Sequence, residues 1–266
     1  MNLFSGLTDI LRALEDYYRY EACYICNNHP IKIDYTEDEI LYWPFCAECF
    51  AILPWRLTVN SVLRFIETDD NFEFSSLVCL YYRGIVRTLI RKYKFYQERN
   101  LSKLWGFIAA LTCAGYRKAL SSGNIAPVSS DMLHIDAVSF LPLHPARKLE
   151  RSYDQAELLA IACAEYLQIP CLSTLKRQRE TQRQSSLQSR SERYNNIKSA
   201  FVADDSVLIK GKNILLLDDV LSTGSSLSAG VKALYDAGAY GVLALALASN
   251  LSARELHFVG KIGNKI

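Results

Sequence analysis

Residues 214–217, Ile-Leu-Leu-Leu, form an unbroken aliphatic run that stops at Asp218 and Asp219. The run is too short for a helix and does not alternate, which predicts a parallel strand buried on both faces. Small residues follow from Ser222 to Ser226, and then Leu227, Val231 and Leu234 recur at helical spacing with Gly238 as a stop. A second apolar run over residues 136–141 enters a turn bounded by Pro142 and Pro145. Beyond it, Ala156, Leu159, Ala160 and Cys163 predict a helix over residues 153–166. Arg83, Arg87 and Arg91 share one face of a further predicted helix, and Ile85, Leu89 and Ile90 line the other. Near the N-terminus, Leu3, Leu7, Ile10, Leu11 and Leu14 mark an amphipathic docking helix over residues 1–20. Strands alternating with helices predict an α/β fold with a parallel sheet flanked by helices.

The chain has 266 residues, half of them apolar, enough for one large or two modest domains with a real core. Its net charge of +2 is unevenly spread. Residues 1–73 carry 13 acidic and 5 basic side chains, and the remainder carries 25 basic and 15 acidic. An acidic front module therefore precedes a basic core. The expected division is a zinc-binding module over residues 21–57 and a main domain over residues 74–266, linked by the acidic stretch at 68–73. The N-terminus lacks the basic and long apolar regions of a secretory signal. The apolar stretch at 104–116 falls short of the ~20 residues that span a bilayer. The expectation is a cytoplasmic protein with no membrane span.

Two pairs, Cys23-x-x-Cys26 and Cys46-x-x-Cys49, stand nineteen residues apart. That spacing suits a four-cysteine zinc site, each pair forming a knuckle that presents two thiolates to a tetrahedral ion. A redox dithiol would need one pair beside a βαβ pattern, and disulfides an oxidising compartment. Structural Zn²⁺ would supply stability that a small module cannot draw from packing. His29 is read as a bystander, and Cys79, Cys113, Cys163 and Cys171 as buried hydrophobes.

Asp218 and Asp219 fall at the carboxyl end of a strand, where open α/β sheets bind ligands. Ser222, Thr223, Gly224, Ser225 and Ser226 follow at a helix start, where unpaired amides, hydroxyls and the helix dipole suit a phosphate. Paired carboxylates beside a phosphate cradle fit a ligand that also carries sugar hydroxyls or a divalent cation. The nucleotide-triphosphatase alternative needs a G-x-x-x-x-G-K-[ST] loop, which none of the twelve glycines provides. A purely structural strand-turn-helix is the other alternative. Residues 214–226 match the phosphoribosyl pyrophosphate (PRPP) signature of type I phosphoribosyltransferases, with Ser222 where Thr is more usual. The expected fold is therefore a type I phosphoribosyltransferase-like sheet with a small N-terminal four-cysteine zinc module.

His144 and Arg147, in a basic loop with Lys148 and Arg151, are candidates for holding pyrophosphate. Residues 176–198 carry seven basic and two acidic side chains in a polar segment long enough to act as a lid. Arg83, Arg87, Arg91 and Lys94, interleaved with Tyr81, Tyr82, Tyr93, Phe95 and Tyr96, form a candidate single-strand nucleic-acid surface. The alternative there is a solvated charged face with aromatics in the core.

Across residues 23–248 the chain resembles the ComF (ComFC-like) family of bacterial competence proteins. The matching stations are the two cysteine pairs, Tyr82-x-Gly84, Leu89-Ile90-x-x-Tyr93-Lys94, Pro142-Leu143-His144-Pro145, Arg177 with Thr181 and Gln184, Asn195, Ala200-Phe201 and the PRPP signature. Where the family usually has Arg-Gly-Phe-Asn-Gln, this chain has Arg151-Ser152-Tyr153-Asp154-Gln155. The resemblance implies a role in natural transformation, handling a single DNA strand in the cytoplasm and binding a PRPP-like ligand with Mg²⁺. A competence or helicase-type protein partner is a further implication. Two functional classes stay open: a binding module without turnover, and a working PRPP-dependent transferase of nucleotide or base metabolism. In the second, Asp218 and Asp219 serve as the catalytic pair.

Overall fold

The computed structural model describes parts of residues 23–56, residues 62–121 apart from short breaks, residues 134–178, and residues 200–251 apart from 205. The proposed N-terminal helix and most of the proposed lid lie outside the described residues. The chain divides into two compact units, Met1–Pro54 and Trp55–Ile266.

Among the described residues of the first unit, β1 (Lys32–Thr36) and β2 (Glu39–Tyr42) pair as an antiparallel hairpin, with Ile33 opposite Leu41. The register shifts between Asp34 and Thr36. The cysteine pairs lie on either side of this hairpin in sequence.

The second unit is built on a five-stranded sheet. Its strands are β3 (Val62–Glu67), β4 (Phe72–Tyr81), β5 (Ala137–Phe140), β8 (Asn213–Leu221) and β9 (Gly241–Ser249), in the spatial order β3-β4-β9-β8-β5. β3 pairs antiparallel with β4, and all other pairings are parallel. The predicted parallel sheet flanked by helices is what forms. Every residue of β9 and the first five of β8 are buried, as unbroken aliphatic runs require in a sheet covered on both sides.

Helices α1 (Gly84–Phe95), α2 (Leu101–Ser121), α3 (Pro145–Arg151), α4 (Gln155–Leu167), α5 (Ser206–Ile209) and α6 (Ser225–Asp236) complete the elements described, with a short antiparallel ribbon of β6 (Leu175–Arg177) and β7 (Phe201–Ala203). Alternation along β8 decides which face each side chain serves. Leu216 joins Leu227, Val231 and Leu234 of α6 together with Leu175 and Phe201 of the ribbon in one buried cluster. α2 contributes Trp105 and Ile108, both fully buried, within the apolar stretch seen in the sequence. No helix among the described residues is long and apolar enough to cross a membrane.

Two predicted boundaries shift. The helix expected from residue 153 begins at Gln155, because Ser152 is left-handed at φ 66° and Asp154 is extended as its N-cap. The basic residues expected in a loop after β5 instead lie on α3, which starts at Pro145, a residue preorganised for a first helical position. Proline and charge read as a turn from sequence, yet here they open a helix.

Candidate functional site

The carboxyl end of β8 is where the buried run gives way. Ile214, Leu215, Leu216 and Leu217 are buried, whereas Asp218, Asp219 and Val220 are each partly exposed. The two carboxylates therefore sit at the rim of the sheet and not in packed interior. The Asp219 amide donates to Asp218 Oδ1 at 2.8 Å, and the Val220 amide to Asp219 Oδ1 at 2.5 Å. These bonds fix both side chains against their own backbone.

Adjacent positions on a strand face opposite ways, so the pair serves two sides of the sheet. Asp218 follows Leu216 toward the face covered by α6 and the ribbon. Asp219 faces the other side and meets Lys94 of α1, Nζ to Oδ1 at 2.8 Å. Desolvation pushes the Asp218 carboxyl up to about 7, with the neighbouring Asp219 charge adding to the rise and Lys94 opposing it.

Past Leu221 the chain turns through Ser222, Thr223 and Gly224 into α6. Gly224 holds φ 84°, a conformation that costs a residue with Cβ about 1–2 kcal/mol, and it occupies the N-cap position. Thr223 Oγ1 and Ser225 Oγ lie 2.9 Å apart, and the Ser225 amide donates to Thr223 Oγ1 at 3.4 Å. Gly224 itself brings no side chain to the start of α6, which leaves the approach to its first turn unobstructed by a Cβ. Gly230, one turn further, lets α6 press on the neighbouring strand end: a Cβ there would stand 2.4 Å from Leu141 Cδ2.

β5 lies beside β8 with Phe140 opposite Leu217, and the Leu141 amide continues the ladder to the Leu217 carbonyl at 3.0 Å. The segment 141–144 therefore leaves the sheet beside Asp218. His144 is half-buried and its carbonyl accepts from the Arg147 and Lys148 amides at 2.9 and 3.0 Å, starting α3. Asp154 ties this segment to α4: one oxygen accepts from the Leu143 amide at 2.6 Å, the other from the Ala156 amide at 3.0 Å and the Glu157 amide at 3.4 Å. Burial raises its pKa against the pull of those three amides.

Arg177, at the end of β6, is partly buried, with its guanidinium 5.2 Å from the centre of the Phe201 ring. Desolvation lowers its pKa, Arg147 adds to that fall, and Asp218 and Asp154 counter it. Arg147, Arg177 and Asp218 thus share one electrostatic neighbourhood.

Of the four basic candidates here, Arg83 at the N-cap of α1 and Arg87 and Arg91 within it are exposed, and Lys94 is turned to Asp219. Val86, Leu89, Ile90 and Tyr93 form the buried face. Tyr93 belongs to the core and donates to the Gln155 carbonyl at 2.6 Å, while Tyr153 donates back to the Tyr93 carbonyl. Phe95 and Tyr96 are exposed, and Arg151 lies 5.0 Å over the Phe95 ring. The Tyr81 ring takes Arg56 at 4.1 Å and Arg83 at 5.0 Å. The sequence reading missed the pairing of Lys94 with Asp219; its signal was the position of Lys94 directly after a core tyrosine. Arg177 and Asp154 likewise stood among the matching stations without a site role.

In the first unit the ligand atoms of Cys23, Cys26, Cys46 and Cys49 all lie within 4.8 Å of one another. Cys26 Sγ and Cys46 Sγ are 3.5 Å apart, close to the ~3.8 Å edge of a tetrahedron with metal–sulfur bonds of ~2.3 Å. The Cys49 amide donates to Cys46 Sγ at 3.4 Å, the kind of amide–sulfur bond that stabilises a thiolate. Burial opposes ionisation of Cys23, but amides of Cys26, Cys46 and Ile25 outweigh it and bring the thiol down to about 7. Cys49 is raised by burial and by its sulfur neighbours. Four sulfurs this close form a donor set that fits a soft tetrahedral metal ion.

A mostly parallel sheet thus carries paired carboxylates near the carboxyl end of β8, followed by a glycine turn and a helix start. No family model matches the sequence. The chain belongs to the competence protein F family: it is 33% identical over 194 residues to competence protein F of Haemophilus influenzae, covering 72% of this chain and 79% of that protein. Among solved structures, it is similar to the Bacillus subtilis glutamine PRPP amidotransferase, with a TM-score of 0.37 and 19% identity over 59% of this chain and 30% of that one. It is also similar to an adenine phosphoribosyltransferase, with a TM-score of 0.36 and 10% identity over 76% of this chain and 95% of that one.

Proposed function

We propose that this protein acts in DNA uptake as a competence protein whose phosphoribosyltransferase-type core binds PRPP or a similar sugar phosphate. The observation that carries the reading is the partly exposed Asp218–Asp219 pair near the end of β8, directly ahead of a left-handed Gly224 and the start of α6. Ribose hydroxyls donate to the two carboxylates, and the 5-phosphate takes the amides and hydroxyls of Ser222, Thr223, Gly224, Ser225 and Ser226. His144 and Arg147 stand on the pyrophosphate side, beside Asp218, with Arg177 adding positive charge there. Asp218 and Asp219 would share in holding Mg²⁺ brought with PRPP, which offsets pyrophosphate charge when bound. Cys23, Cys26, Cys46 and Cys49 hold a structural zinc ion.

Single-stranded DNA binds along the exposed face of α1 through Arg83, Arg87 and Arg91, with Phe95 and Tyr96 as stacking platforms. The family relationship to a competence protein supports that half of the reading and a cytoplasmic site of action. A competence or helicase-type protein is the partner class this role calls for.

Calorimetry with PRPP and Mg²⁺ tests the sugar-phosphate half. Asp219→Asn is expected to weaken binding about tenfold or more, the loss of one charge-assisted hydrogen bond, with zinc content unchanged. Equal affinity in the variant removes the site. A carboxyl raised by burial at Asp218, with Arg177 in its electrostatic neighbourhood, also supports the transferase reading, in which positive charge there stabilises a departing pyrophosphate. Pyrophosphate release with candidate bases or single-stranded DNA present separates the two: product marks an enzyme, and tight binding without release marks a binding module.

A further inference from the structure

We propose that Lys94 is a ligand-contacting residue of the sugar-phosphate site, a resident cation shared between Asp219 and an anionic oxygen of a phosphorylated pentose. The inference rests on the sugar-phosphate reading of Asp218 and Asp219 and adds a residue from a helix that the signature does not include. Lys94 Nζ lies 2.8 Å from Asp219 Oδ1, with the two side chains only 19% and 15% exposed. An ammonium has three donors, and Asp219 is the one partner described for this one, so the remaining donors are available to a ligand at the strand end.

The backbone that carries Lys94 is fixed from both sides. Tyr93 donates to the Gln155 carbonyl at 2.6 Å, and Tyr153 donates to the Tyr93 carbonyl. Gln155 Nε2 donates to the Lys94 carbonyl at 3.5 Å, and Gln155 Oε1 accepts from Arg151 Nη1 at 2.9 Å. The end of α1 is thereby bound to the segment 151–155, whose Asp154 holds the turn after β5. A cation braced in this way is set in place before ligand arrives, unlike the exposed Arg83 at the N-cap and Arg87 and Arg91 within the same helix.

Two adjacent carboxylates repel each other and repel a phosphorylated ligand. A lysine on one of them cancels that repulsion and orients the carboxylate to accept from a sugar hydroxyl. Free divalent cation can do part of the same work, which separates the charge role of Lys94 from a packing role.

The test is calorimetric binding of ribose 5-phosphate, in EDTA and in excess magnesium at matched ionic strength, to wild type, Lys94→Met, Lys94→Gln and Lys94→Arg. Wild type is expected to bind in both buffers. Lys94→Met and Lys94→Gln are expected to lose about tenfold or more in EDTA and to recover part of the loss in magnesium, with Lys94→Arg closer to wild type. Thermal melting of each variant identifies a folding defect, and the variant that melts like wild type decides the result. Binding of that variant within about twofold of wild type in both buffers, or an equal loss in both, overturns the role of Lys94 and leaves the sugar-phosphate site standing. If wild type binds neither ribose 5-phosphate nor PRPP, the site itself fails and the role of Lys94 falls with it.

Discussion

Ser152 holds φ 66° between α3 and α4, a left-handed conformation that glycine adopts without steric cost. A serine there carries strain that the rest of the segment absorbs. Ser152→Gly is expected to raise stability by about 1 kcal/mol, read from the midpoint of urea unfolding; a lower midpoint would mean that the serine side chain holds the segment. Asp218 is the residue whose charge state matters most. Its folded pKa of about 7 lies well above the ordinary carboxyl value, so between the two the folded protein binds more protons than the unfolded chain. Stability contributed by this group is therefore full at low pH and is lost as pH rises toward 7, with a slope of at most about 1.4 kcal/mol per pH unit. Asp218→Asn should flatten that slope in urea titrations run between pH 4 and 8; an unchanged slope would show that Asp218 titrates normally. Both carboxylates were legible in the sequence, because an aliphatic run ending in charge marks a strand end. Their opposite facing and the partner of each were not, since Lys94 and Arg177 are distant in sequence and are brought to β8 only by helix and ribbon packing.

At the scale of elements, α6 and the turn before it were the most readable part of the chain. A buried strand, small residues and a 3.6-residue repeat are local signals, and they fall where Asn213–Leu221 and Ser225–Asp236 form. Gly224→Ala would place a Cβ at φ 84°, costing about 1–2 kcal/mol and weakening sugar-phosphate binding together. Unfolding and calorimetry on the same variant check both effects, and a loss of stability with binding intact would move the phosphate off this turn. The segment after β5 was less readable. Proline, histidine and basic residues read as a loop, whereas Pro145 opens α3 and Asp154 caps α4 across the Leu143 amide. That capping depends on a contact eleven residues away along the chain, which periodicity does not register.

For the whole molecule, the four-cysteine cluster and the five-stranded sheet fall in separate compact units. A strong chelator is expected to release a single zinc ion per chain, measured by a colorimetric zinc assay, and Cys46→Ser to abolish that release. Retention of a full equivalent by the serine variant would exclude the four-cysteine site. Single-stranded DNA binding is expected to weaken steeply with salt. Arg87→Ala should lower the slope of log affinity against log salt by about 0.7 if its charge meets one phosphate. An unchanged slope would place the nucleic acid elsewhere.

Local pattern alone determined the strand that carries Asp218 and Asp219, the turn of small residues after it, and the cysteine spacing that brings four sulfurs within reach of one another. These depend on neighbours a few residues apart, where backbone geometry ties position in sequence to position in space. The tertiary structure decided the order of the strands, the pairing of Lys94 with Asp219, and the placing of Arg177 within the electrostatic reach of Asp218. Those depend on which faces pack together, and burial of apolar surface sets that choice across the whole chain and favours no particular sequence separation.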